Sequence, residues 1–224
     1  MPRPGWKNET REPQRAKRGG KMKAWKSLPL ILVGLCLIVG NATAASGPPT
    51  DTVRKMLGDL KAIQNDPGLQ GREKMAARKE RIRKAIIENF DSDRMAQAAL
   101  GQYCRQLSKE EQDEFKVAFR ELFLDSYANM VLNFLKNETI DYGGEFEDRD
   151  QVTVRTTVRS GDQDIPVDYC LAKAGERYVV RDVTAEGVSM VDNYQKTFSR
   201  VIKQEGYEGL IRRMKLQQQA ARPG

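Results

Sequence analysis

Two periodicities meet between Tyr178 and Gly206, and few architectures accommodate both. Tyr178, Val180, Asp182 and Thr184 alternate with Val179, Arg181, Val183 and Ala185, the two-residue repeat of a strand. Aliphatic residues fall on both of its faces, which predicts a sheet covered on both sides or lining a cavity. Past Glu186-Gly187, where glycine permits the positive φ of a turn, Met190, Val191, Tyr194, Phe198, Val201 and Ile202 recur at helical spacing. Lys196, Arg200 and Lys203 lie largely off that stripe, and Gly206 supplies a stop.

The alternating pattern begins earlier, at Thr139. Gly143-Gly144 predicts a turn, after which Val152, Val154, Thr156 and Val158 alternate with Thr153, Arg155, Thr157 and Arg159. Ser160-Gly161-Asp162 turns the chain into Ile165, Val167, Tyr169 and Leu171, and Ala174-Gly175-Glu176 leads into the Tyr178 strand. Three strands with short connections predict an antiparallel meander. Helices precede it. Asp51 is the expected cap of the first, which buries Val53, Met56, Leu57, Leu60 and Ile63 and ends at Asp66-Pro67-Gly68. A surface helix over 72–89 and a short one from Asp91 to Gly101 follow. Ser108-x-x-Glu111 is a capping box that opens the long helix Lys109–Lys136, whose second half is apolar over more than one face, as expected of a helix buried on several sides or facing a cavity. A final helix over 207–218 turns Leu210, Ile211 and Met214 inward. The class is α+β: helices packed on a small twisted antiparallel sheet, enclosing an apolar cavity.

Residues 1–44 read as an export leader. Basic residues through Lys26 precede the apolar run Leu28–Val39, and Ala42-Thr43-Ala44 offers the small residues of a cleavage site. The apolar run has 12 residues, short of the roughly 20 that span a bilayer. Met22 opens a normal basic region of its own and is an alternative start. The leader holds 9 of the 38 Lys/Arg and 2 of the 31 Asp/Glu, which leaves 29 of each, so the net charge of +7 belongs to the leader and the case for nucleic-acid binding falls away. The expected organisation is a signal peptide at 1–44, a single domain at 45–219 and a frayed tail at 220–224.

Histidine is absent, which excludes Ser-His-Asp and Cys-His activation of a nucleophile and histidine-containing zinc sites. No phosphate-cradling glycine loop is present. Acid pairs such as Glu145 with Glu147, or Asp182 with Glu186, read as solvated turns and structural partners rather than as a catalytic dyad. Asp182 is expected to tie its strand to a neighbouring backbone or arginine, and Ser189 to start the helix after it. No catalytic residue, metal or cofactor is expected, and the chain reads as a non-enzyme. Cys104 and Cys170 lie beyond the leader. A bridge between them would span 66 residues and be worth roughly 4 kcal/mol, while two separate buried thiols fit the sequence equally well.

The Tyr178–Gly206 run, with its aromatic, Asp182-Val183, Glu186-Gly187-Val188-Ser189 and aromatic-bearing helix, resembles the MlaC, or toluene-tolerance, family of periplasmic phospholipid-binding proteins. A second block agrees: Leu100 through Ser108, then Glu111-Gln112 and Phe115, with Cys104 standing where the family pattern has tryptophan. The likeness covers residues 51–214. It implies a soluble periplasmic shuttle that carries phospholipid between an outer-membrane lipoprotein complex and an inner-membrane ABC transporter complex, maintaining outer-membrane lipid asymmetry. The phospholipid is cargo rather than cofactor, and a monomer is expected.

A carrier of this kind must hide its cargo from water. Two acyl chains of about 15 methylenes each cost roughly 24 kcal/mol when exposed, at about 0.8 kcal/mol per methylene. A deep dry cavity with a wet mouth is therefore required. The resembling blocks contribute Leu100, Tyr103, Val180, Val188, Met190 and Tyr194 to its expected lining. Helical and strand periodicity add Phe119, Phe123, Tyr127, Val131, Val154, Val167 and Tyr169. Arg105 or Arg181 is the expected rim residue for a phosphate. The same features would also suit a carrier of another apolar ligand such as a hopanoid, or a periplasmic chaperone or assembly factor whose groove receives protein.

Overall fold

The computed structural model of the chain describes residues 47–221, and the expected signal peptide lies outside them. In chain order these form α1 (Pro48–Asn65), α2 (Met75–Asn89), α3 (Ser92–Leu100), α4 (Lys109–Phe134), β1 (Thr139–Asp148), β2 (Gln151–Ser160), β3 (Gln163–Ala174), β4 (Arg177–Ala185), β5 (Val188–Ser189) and α5 (Met190–Ala221). Short 3₁₀ turns occupy Pro67–Leu69 and Gly101–Gln106. The strands form one antiparallel sheet in the order β1-β2-β3-β4-β5, so the fold is α+β.

The meander is longer at its start than the sequence suggests. Gly143-Gly144 makes no turn: β1 runs through it, with a register shift between Tyr142 and Gly144 that the positive φ of Gly144 absorbs as a bulge. Beyond the bulge the Glu145 carboxylate accepts hydrogen bonds from the backbone N–H groups of Gly47 (2.8 Å) and Thr50 (2.9 Å). It thus caps α1, which begins at Pro48; the expected cap, Asp51, lies in the first turn of that helix instead. A second irregularity lies between Cys170 and Leu171 on β3, which pair with Asp182 and Val180 and leave Arg181 as the extra residue of β4.

The sheet is tied to the helices at β4. The Asp91 N–H donates to the Val180 carbonyl at 2.9 Å, and Phe90 makes a parallel bridge to Val180, so the α2–α3 link covers one end of the β4 edge while β5 covers the other. Asp182 starts α5. Its carboxylate accepts from the N–H groups of Val183 (2.8 Å) and Val191 (3.0 Å) and from the Ser189 hydroxyl, whose oxygen in turn accepts from the Asp192 N–H at 3.0 Å. The Val191 and Asp192 N–H groups are orphan amides of a helix start, satisfied by a strand residue and a capping serine.

At the start of α4 both halves of the capping box form, with Glu111 N–H donating to Ser108 Oγ at 3.2 Å and Ser108 N–H to the Glu111 carboxylate at 2.7 Å. On one side α2 is pinned to α4 by Arg83, which contacts Glu121 and Asp125 at 2.7 Å each, and by Lys79 at 3.1 Å from Asp125. On another, α5 passes twice. Gly206, at φ 73° and ψ 178°, breaks α5 in a conformation that only glycine adopts readily. Before it, Tyr194 and Phe198 pack on Phe119 and Phe115; after it, Lys215 pairs with Glu114 at 2.8 Å and Gln218 donates to the Ala118 carbonyl at 2.9 Å. The first half of α5 therefore runs against the direction of α4 and the second half returns along it. The helix continues to Ala221, two residues into the expected tail.

Burial of α4 on several sides leaves three exceptions, Val117 at 61%, Met130 at 38% and Phe134 at 68% exposed. Cys104 in the 3₁₀ turn and Cys170 on β3 are both free thiols, so the bridge that the sequence left open is not formed. The Cys170 thiol donates to Gln151 Oε1 at 3.1 Å, and burial beside Asp182 pushes its pKa up.

Candidate functional site

Four aromatic residues at steps of four, Phe115, Phe119, Phe123 and Tyr127, align on one face of α4. Successive rings stack with centroids 6.0, 6.2 and 5.8 Å apart. Other elements add rings to this ladder. Phe90 contacts Phe123 at 5.2 Å and Tyr127 at 5.1 Å; Phe198 sits edge-on to Phe115 at 5.6 Å; Tyr194 lies 5.4 Å from both Phe119 and Phe198. Such pairs contribute about 0.5–1.5 kcal/mol each beyond area burial, so the ladder both builds the core and defines its most apolar volume. The inner face of the sheet closes on it with Val154, Tyr169, Leu171 and Val180, all buried in the same cluster.

Most of the residues expected to line the cavity meet here. Leu100, Phe119, Phe123, Tyr127, Val131, Val154, Tyr169 and Val180 are buried together, and Tyr103, Val167, Met190 and Tyr194 are half-buried against them. Val188 does not join them: it is 61% exposed. It stands opposite the exposed Ala185 at the β4–β5 turn, beyond the buried part of the sheet, next to Ser189, which Asp182 holds. Of the expected rim arginines, Arg105 is exposed on the 3₁₀ turn, whereas Arg181 faces Asp91 at 3.4 Å and serves to join β4 to the α2–α3 link.

Sequence reasoning missed Phe90 as a site residue. It is the single residue between α2 and the Asp91 cap of α3, where no periodicity assigns it a face. Phe115 and Phe198 lie on helical stripes legible in the sequence, but only the ring-to-ring geometry joins them to the site.

The cluster contains hydroxyls as well as rings. Burial pushes the Tyr127 phenol up to about 12, against which the neighbouring Tyr169 hydroxyl acts. Burial also drives Tyr169 well above its ordinary value, with Tyr127 and Tyr142 contributing, and raises Tyr194 beside Ser126. These phenols stay protonated across the physiological range and act as hydrogen-bond donors. A separate cleft of about 420 Å³ lies between α4 and the second half of α5, lined by Glu114, Tyr207, Glu208, Ile211, Arg212, Lys215, Leu216 and Gln219. An ion pair crosses it, and it does not share the aromatic lining. Among the described residues no cluster of His, Cys, Asp and Glu is placed to hold a metal, and no helix is long and apolar enough to cross a membrane.

A protein from Haemophilus influenzae described as an intermembrane phospholipid transport system binding protein, MlaC, is 23% identical over 217 residues, covering 91% of this chain and 96% of its own length. A solved structure of a phospholipid-binding protein from Ralstonia solanacearum, in complex with a phospholipid, is 26% identical with a TM-score of 0.65 and matches 76% of this chain and 97% of its own. The sequence profile of the MlaC protein family matches residues 54–216, which takes in the whole sheet and all or most of each of the five helices, and the chain belongs to the MlaC family.

Proposed function

We propose that this chain is a periplasmic phospholipid-binding protein that shuttles lipid between an outer-membrane complex and an inner-membrane ABC transporter complex. The observation that carries the reading is the aromatic ladder of α4 facing the inner side of the sheet, in a chain similar to one protein named for intermembrane phospholipid transport and to another solved with a phospholipid bound. The acyl chains enter between α4 and the sheet, where Phe119, Phe123, Tyr127 and Val131 meet Val154, Tyr169 and Val180. Rings there already touch, so the chains replace ring–ring contacts with ring–methylene contacts. That exchange is dry for dry and of similar energy per unit area. Loading from a bilayer is accordingly near balance, and direction is imposed by partners that bind the loaded and empty forms unequally. Nothing in this scheme requires bond chemistry, and the protein works as a carrier rather than as a catalyst.

Native mass spectrometry of the protein purified from a periplasm, followed by denaturation and identification of the released molecule, tests the reading. A stoichiometric phospholipid is expected. A hopanoid or other polar-poor lipid would reassign the cargo, and a folded protein that never retains lipid would favour a groove for protein segments.

A further inference from the structure

We propose that the hydroxyl groups of Tyr127 and Tyr169 receive the ester carbonyls of a bound diacyl lipid, which makes the site selective for ester-linked over ether-linked chains. The proposal rests on the phospholipid-binding reading. The ladder of α4 uses phenylalanine at 115, 119 and 123 and changes to tyrosine at 127, although that residue is only 2% exposed. Opposite it, β3 places another tyrosine, Tyr169, 3% exposed. Phenylalanine would fill either position without a hydroxyl to desolvate, and a buried hydroxyl costs free energy unless it is partnered. The two phenols are near enough that each influences the other's titration. Such a pair is self-limiting: even where one hydroxyl donates to the other, the second proton has no acceptor within the pair. Two acceptors that arrive together, as the two ester carbonyls of a diacyl lipid do, let both phenols donate.

The neighbouring polar groups lead outward in the order that a phospholipid requires. By strand register Tyr142 is opposite Thr156, and Tyr169 is opposite Val154, so Tyr142, Thr156 and Tyr169 share the inner face of the sheet. Thr156 is buried and already donates to the Val167 carbonyl at 2.7 Å, which leaves the tyrosines as the available donors. Tyr142 is half-buried, and the partly exposed Arg54 guanidinium lies 4.6 Å from its ring centroid. From the Phe115 end inward the ladder is apolar; at Tyr127 and Tyr169 it offers neutral donors; at Arg54 it reaches a cation. Acyl tail, ester and phosphate follow the same sequence along a phospholipid.

The test offers the full mature protein an equimolar mixture of a diester phosphatidylethanolamine and its dialkyl ether analogue of equal chain length, and reads the ratio retained by mass spectrometry. Wild type is expected to retain the diester about tenfold over the ether, the size of effect produced by one unsatisfied buried hydrogen-bonding group. In the Tyr127→Phe/Tyr169→Phe double variant the ratio falls close to one, and each single variant gives an intermediate ratio. The readout is the ratio and not the amount bound, so a general loss of affinity does not imitate the result. Equal retention of the two lipids by wild type, or an unchanged ratio in the variants, overturns the proposal while leaving the carrier reading intact. Retention of neither lipid by wild type overturns both.

Discussion

Glu145 and Asp182 each use a carboxylate to begin a helix from a strand. Glu145 reaches the start of α1 from β1, and Asp182 reaches the start of α5 from β4. Only the second was legible in the sequence, because Asp182, Ser189 and Val191 lie within one motif, whereas Gly47 and Glu145 are 98 residues apart. Burial pushes the Glu145 carboxyl up, but the hydrogen bonds from Thr50 and Gly47 outweigh it and hold its pKa below the usual 4.5. A carboxyl depressed in the folded state contributes stability above its unfolded pKa, and that contribution is lost as pH falls through the folded value. Glu145→Ala is therefore expected to cost about 1 kcal/mol at pH 7, with the gap to wild type closing below about pH 4, as read by urea unfolding at both pH values. Asp182→Ala, which leaves the start of α5 without its acceptor, is expected to cost about 2 kcal/mol in the same assay.

At the scale of elements, the amphipathic helices were read with the right type because each carries its own period, and the α4 boundary was fixed by a local capping box. The departures have equally local causes. Gly143-Gly144 carries the same signal whether it makes a turn or a bulge, and only the pairing of β1 with β2 decides between them. Val188 continues an apolar alternation in sequence but pairs with the exposed Ala185 at the β4–β5 turn, outside the core. The aromatic stripe on α4 was visible; its partners from α2, α5 and the sheet were not, since contacts across elements have no period. Phe119 touches rings from its own helix and from α5, so Phe119→Ala is expected to cost about 3–5 kcal/mol, measured by denaturant midpoint at unchanged m-value. Gly206→Ala forces an L side chain into a backbone region it avoids. It is expected to cost about 1–3 kcal/mol, with hydrogen-exchange protection lost first in the returning half of α5.

For the whole molecule, composition and the strand–turn–helix run sufficed for the α+β class, and charge bookkeeping placed the basic excess outside the described residues. The free state of the two cysteines was beyond the sequence, because spacing along the chain does not fix the separation of α-carbons. Two thiols per described chain are expected to react with alkylating reagent after unfolding without reductant. The doubling back of α5 at Gly206 sets the order in which this core is completed. The residues that cover α4 at Glu114, Ala118 and Ser126 include Lys215, Gln218 and Gln217, about a hundred residues further along the chain. Until this returning half of α5 has been added, the inward side chains Leu210, Ile211 and Met214 are missing, and the helix they help to bury stands open to solvent. The covering of this face of α4 therefore waits for a segment far along the chain, and the core is completed by contacts of high sequence separation rather than by the neighbours of α4 in sequence.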